Sequence, residues 1–346
     1  MSTPHVGTTS AISIEELPDS SPLLADPERL RERWKKDGVL FFRNVISHVA
    51  IAKVRDEYLA RLKEIGVVAS DETESNWSGR DRLDGALARP IGDDVWRGLV
   101  ADPSFDHVVR TFLGEAPNWV PIVVHRSAPP LPAGASPEIF GARHQDGIYN
   151  YGIDFITCWV PLMDIDDEVG GLAVAPGSHK GSLYPADVFK NPNQRVGIPS
   201  GAIPDAAWRR PDYKVGDLLM FHSMTAHAGL PNRSGKLRLS MDVRFLPAST
   251  AKPFVGKVTR TSDLMVELKD ESGEDVAVVI DDKTIVRGPK GHPVVGEDRA
   301  GILFPDAEII VVPDERGHAK LIRSVSRKYA DLPATWYETL PANWVK

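Results

Sequence analysis

The sequence predicts a mainly β protein, a sandwich or barrel of which the jelly roll is one form, with helices flanking it on the N-terminal side. Three observations carry this reading. From His144 to Phe245, short apolar runs alternate with tight turns, the texture of a sandwich or barrel. The 28 glycines and 28 prolines among 346 residues make about a sixth of the chain and favour turns over long helices. Apolar residues at helical spacing fall in the first third.

The elements follow in order. Residues 1–21 are rich in Ser, Thr and Pro, without periodicity, and read as a flexible arm. Asp26-Pro27 opens a helix through Trp34, with Asp26 as N-cap and Pro27 in the first turn. Val39–Phe42 is a buried strand. Val54, Tyr58, Leu62 and Ile65 keep one helical face between Val49 and Ile65. Asn76–Arg82 is a polar loop, and Asp93–Leu113 holds one or two further helices. Val120–Arg126 is a strand, followed by a proline-rich loop to Pro137. Next come a strand at Ile156–Val160, turns at Gly170-Gly171 and Pro176-Gly177, the buried run Leu218–Phe221, and an alternating strand over Arg238–Phe245. Beyond Ser249 the texture changes. Met265–Leu268, Val276–Ile280, Thr284–Val286 and Ile309–Val312 read as strands between charged turns.

Composition narrows the function. A formal net charge of −7 disfavours nucleic acid and anionic membrane as partners, which attract basic surfaces. No apolar run approaches a membrane span, and no secretory signal core opens the chain. The single cysteine, Cys158, permits no intramolecular disulfide and reads as a buried structural thiol. The expectation is a cytoplasmic protein acting on a small molecule.

The chemistry centres on Arg143-His144-Gln145-Asp146-Gly147. In an extended stretch, His144 and Asp146 leave the same face. With one more histidine they make the two-histidine, one-carboxylate set typical of non-haem Fe(II) that activates dioxygen. His227 is the better second histidine; His222, five residues earlier, falls on a different face. Eleven residues after His227, Arg238 offers a guanidinium that can meet a carboxylate bidentately, and Ser240 shares its face. A lone His-x-Asp is weak evidence, and the distal His227 and Arg238 strengthen it. His179 reads as a turn residue and His125 as a core or pocket-wall histidine. Trp77, Arg80 and Arg82 read as a solvated loop with one packed Trp.

The set resembles the phytanoyl-CoA dioxygenase family of Fe(II)/2-oxoglutarate oxygenases. The matching pieces are His144-Gln145-Asp146, Trp159, Gly171-Leu172 through Pro176-Gly177-Ser178-His179, Gly216-Asp217 before His227, and Arg238, over roughly residues 28–246. The resemblance implies a double-stranded β-helix (cupin-like jelly-roll) core with helices packed on it. It also implies iron and dioxygen as cofactors and 2-oxoglutarate as co-substrate, oxidised to succinate and carbon dioxide as the substrate is hydroxylated. His144, Asp146 and His227 would ligate iron, and Arg238 would hold the far carboxylate of 2-oxoglutarate. Gln145, Trp159, Ser240 and Arg126 would complete the co-substrate pocket. Because halogenating relatives replace the carboxylate ligand, Asp146 argues for hydroxylation rather than chlorination. Three domains are then expected: an arm over 1–21, the oxygenase jelly roll over 22–249, and a β-rich appendage or extra strands with a tail over 250–346. Two rivals stand beside this reading, a non-redox metal-dependent hydrolase and a non-catalytic metal-binding protein on the same barrel. A fixed carboxylate anchor at Arg238 has no evident use in hydrolysis.

Overall fold

A computed structural model describes residues 14–69, 75–79, 93–135, 137–141, 143–148, 153–181, 183–184, 197–288 and 294–324. Among the described residues, four α-helices precede or flank the first long strands. Helix α1 (Pro27–Asp37) starts where Asp26 accepts the Arg29 N–H, and stops at Gly38, whose φ of 65° suits a residue without Cβ. Helices α2 (His48–Glu64) and α4 (Pro103–Leu113) are capped in the same way by Ser47 and Asp102. Helix α3 (Asp93–Val100) packs between them.

The main sheet has five antiparallel strands: β1 (Val39–Phe42), β2 (Pro117–Ala128), β3 (Ile156–Pro161), β5 (Leu218–His222) and β7 (Arg238–Pro247), in the order β1-β5-β3-β7-β2. A short facing pair joins β4 (Leu172–Val174) to β6 (His227–Gly229). Side chains alternate across the main sheet, so each strand divides by parity. Leu40, Phe42, Ile156, Cys158, Val160, Leu218, Met220, Leu239, Met241, Val243 and Phe245 form one core with the helices. The other face carries Val39, Phe41, Trp159, Leu219 and Phe221, and near β2 it becomes polar. Cys158 lies on the helix side, fully buried, where burial pushes its thiol well up. Cys158 is thus the buried thiol expected from the sequence.

A second sheet follows: β8 (Phe254–Thr261), β9 (Met265–Asp270), β10 (Asp275–Val279), β11 (Ile285–Arg287), β12 (Glu308–Pro313) and β13 (Ala319–Ser324), ordered β10-β9-β8-β12-β13-β11. One face has its own apolar core, built on Val258, Val266, Leu268, Ile309, Val311 and Ile322. The other packs Val255, Ile310, Val312 and Leu321 against Val120, Ile122, Ile153, Phe155 and Leu246 of the first unit. Strands β8 and β13 were not expected from the sequence. β8 carries a glycine and exposed Lys257 and Arg260, which blur its apolar signal.

One further expectation changes. Residues 14–20 are no loose arm: Leu17 and Ser20 are buried, and Glu15 pairs with Arg209. Residues 1–13 lie outside the described residues, as do Arg80 and Arg82, while Trp77 packs against the helix-side core.

Candidate metal centre

His144 and Asp146 come close without a strand. His144 makes a single antiparallel bridge with His227, closed by two backbone hydrogen bonds of 2.9 Å. The chain then enters a 3-10 turn at Asp146–Ile148. The extended His-x-Asp stretch expected from the sequence is therefore corrected to a bridge followed by a turn. The bridge itself sets the two histidines side by side, with ring centroids 4.1 Å apart. Gly147 allows the turn, because a Cβ there would strike Met224 Sδ, and its N–H donates to Ser223 O at 2.8 Å. Buried Arg143 fixes the entry to the site by donating to the carbonyls of Ile198, Phe140 and Pro199.

The ligand atoms of His144, Asp146 and His227 all lie within 4.8 Å of one another. Nε2 of each histidine is 3.6 Å from Asp146 Oδ1. His227 Nδ1 is 3.0 Å from the Thr225 carbonyl, which can only accept, so Nδ1 carries the proton and Nε2 presents a lone pair. That Nε2 is buried and has no hydrogen-bond partner, as expected of a donor atom directed at a metal. Burial, then the neighbouring His144, push His227 down to about 3, so it is neutral at physiological pH. Burial alone would raise the Asp146 carboxyl. Arg244 and the two histidines outweigh it and hold the carboxyl well below the usual range. Two imidazoles and a carboxylate gathered around one point fit a divalent transition metal.

Strand β7 supplies the surroundings. By parity, Arg238, Ser240, Asp242 and Arg244 leave the face opposite the helix-side residues Leu239, Met241 and Val243. Arg238 Nη1 donates to the carbonyls of Leu230 (2.9 Å) and Gly171 (3.1 Å), and no carboxylate pairs with it among the described residues. Burial, then Arg126, lower it to about 10, so it stays cationic. Such a charge suits an incoming carboxylate. Ser240 is buried and sits opposite Arg126 in the register. Arg126 donates from Nε to Asp242 Oδ2 at 2.7 Å, and its Nη2 lies 2.7 Å from the same oxygen in an ion pair. Trp159 is buried with its ring 4.6 Å from Tyr213, in an apolar wall. The Gln145 amide donates to Met224 O and accepts from Tyr184 N, so it ties two loops together.

Among the described residues, the remaining histidines stay apart from this cluster. His222 shares its side of β5 with Leu218 and Met220, and its ring lies 6.1 Å from Trp34 and 5.6 Å from His179. His125 packs edge-on against Tyr58 at 5.7 Å.

Sequence reasoning missed Arg244 and Thr157. Buried Arg244 donates to Asp146 Oδ2 at 2.8 Å, and the Thr157 hydroxyl donates to the same oxygen at 3.2 Å. Strand parity was the available signal. Arg244 shares its face with Arg238, and Thr157 shares its face with Trp159.

Residues 34–240 match the model of the phytanoyl-CoA dioxygenase family. Two curated relatives are 1-deoxypentalenic acid 11-beta-hydroxylases. The one from Streptomyces arenae is 30% identical over 257 residues, covering 68% of this chain and 87% of the relative. The one from Streptomyces exfoliatus is 28% identical over 263 residues, covering 70% and 89%. Among solved structures, EvdO2 from Micromonospora carbonacea var. aurantiaca, complexed with 2-oxoglutarate, is 17% identical. It covers 68% of this chain and 93% of that one, with a TM-score of 0.48.

Proposed function

The chain belongs to the phytanoyl-CoA dioxygenase family of Fe(II)- and 2-oxoglutarate-dependent oxygenases, and on that premise we propose that it hydroxylates a small organic acid at its three-residue metal centre. The observation that carries the reading is the convergence of His144, Asp146 and His227 on one point. In this reading His144, Asp146 and His227 hold the iron. Bound there, ferrous iron and dioxygen would supply the oxidation, turning 2-oxoglutarate into succinate and carbon dioxide while a substrate C–H bond becomes C–OH.

The protein's own groups then bind and orient. Arg238 anchors the far carboxylate of 2-oxoglutarate, supported by its carbonyl contacts and its lack of a carboxylate partner among the described residues. Ser240, on the same face, adds a hydrogen bond. Arg126, held by Asp242, raises the positive potential beside that anchor. Trp159 walls the pocket, and Gln145 braces the loops that carry His144 and His227. The substrate class rests on the relatives, whose names specify hydroxylation of an acid. Asp146 keeps a carboxylate where chlorination would need an open position, so the product is hydroxylated even in excess chloride.

The test is succinate formation from 2-oxoglutarate by iron-loaded protein in air, with a panel of small organic acids. Iron-dependent succinate, raised by some member of the panel and absent in Asp146→Ala, is expected. Fully iron-loaded protein that forms no succinate with or without the panel would defeat the oxygenase reading.

A further inference from the structure

Asp146 has two oxygens, and the fold treats them differently. Oδ1 faces the Nε2 atoms of both histidines at 3.6 Å. Oδ2 is taken up by Arg244 at 2.8 Å and Thr157 at 3.2 Å. Thr157 and Arg244 are direct cross-strand partners on β3 and β7, so one rung of the main sheet delivers both donors to one atom. Arg244 is itself fixed. Its Nη1 donates to Ile122 O at 3.0 Å, and its guanidinium lies over the Phe155 ring at 5.4 Å. Arg244 also lies beyond the last residue matched to the family model, position 240.

We propose that Arg244, assisted by Thr157, is a positioning residue that holds Asp146 as a one-oxygen metal ligand. This rests on the metal site of the proposed function. Outer groups that orient ligands typically change metal affinity by about 10–100-fold when removed. A purely electrostatic role would act in the opposite direction. A cation beside the carboxylate repels a divalent metal, so deleting it would tighten binding.

The sign decides between the two in equilibrium dialysis of cobalt(II) against the full-length protein under anaerobic conditions. Arg244→Leu is expected to bind cobalt(II) roughly 10–100-fold more weakly than the native chain, with a changed visible spectrum of the bound ion. Arg244→Lys, which keeps a charged donor, should recover most of the affinity. Thr157→Val should lose a few-fold, with the native spectrum partly altered. Unchanged or tighter binding by Arg244→Leu overturns the inference. If that variant does not fold, the inference is overturned by Thr157→Val with native affinity and spectrum. The oxygenase reading fails separately: native protein that binds cobalt(II) at this site but forms no succinate with iron refutes that reading and leaves the positioning role standing.

Discussion

Arg238 and the metal-site histidines carry predictions that single substitutions can check. The Arg238 guanidinium is desolvated and tied to carbonyls that cannot neutralise it. A charge-assisted bond to 2-oxoglutarate there is worth about 1.5–3 kcal/mol, or roughly ten- to a hundredfold in affinity. Arg238→Leu should raise the KM for 2-oxoglutarate by that factor and shift the KM for the primary substrate far less. Steady-state kinetics with each varied in turn measures this, and equal shifts would point to general damage. Substituting His144, Asp146 or His227 with Ala should abolish metal binding in a dialysis assay. His222→Ala should keep it, because His222 lies on the helix-covered side of β5. This much was legible in the sequence: residue type and spacing singled out His144, Asp146, His227 and Arg238. Arg244 was harder to see. An arginine on the polar face of an alternating strand reads as a solvent-facing charge until the sheet shows that this face is closed.

At the scale of elements, alternation and capping predicted most strands and helix starts, because those signals are local. Of the strands that escaped, β8 and β13 mix charges with β-branched residues, and only their packing in a six-stranded sheet fixes them. One junction between elements is sensitive to pH. The C-terminus of α1, the turn at Ser178–Lys180 and the end of β5 bring together Gly38, His179 and His222. A Cβ on Gly38 would overlap the His179 ring, so Gly38→Ala should be strongly destabilising. Burial lowers the pKa of both histidines below 6.5; His179 lowers that of His222 further and Lys180 that of His179, while the Lys35 backbone and Asp37 beside His179, and Asp154 beside His222, only partly offset this. The folded state therefore prefers both rings neutral. Their contribution to stability is complete above the unfolded value near 6.5 and is lost as pH falls through the lower folded values. The melting temperature should drop on acidification from pH 7 to 5, and His179→Gln should flatten that drop. A melting temperature with the same slope in the variant would show that other groups govern this range.

At the scale of the whole molecule, the second sheet forms part of the support of the metal centre. It covers Val120, Ile122, Ile153, Phe155 and Leu246 with Val255, Ile310, Val312 and Leu321. Two of the covered residues, Ile122 and Phe155, hold Arg244 through a carbonyl and a ring face. Arg323 stands opposite Ile310 in the register and so shares the inward face of β13. Burial, then the nearby Arg244, lower it to about 10, and Asp146 is close enough to act in the opposite sense. Nothing in the linear sequence links residues 310–323 to Asp146, since the connection runs through the packing of two sheets. The contacts make a graded prediction. Leu321→Ala removes a fully buried side chain from this interface and should cost about 2–5 kcal/mol of stability. Part of that loss should appear as weaker metal binding, because Phe155 and Ile122 lose a neighbour. A chain ending at residue 250 would expose the whole apolar patch and should self-associate, as exposed patches of this kind do. Size-exclusion chromatography and cobalt(II) dialysis on both proteins read the two effects. A monomeric truncated chain with native metal affinity would show that the first unit builds its site alone.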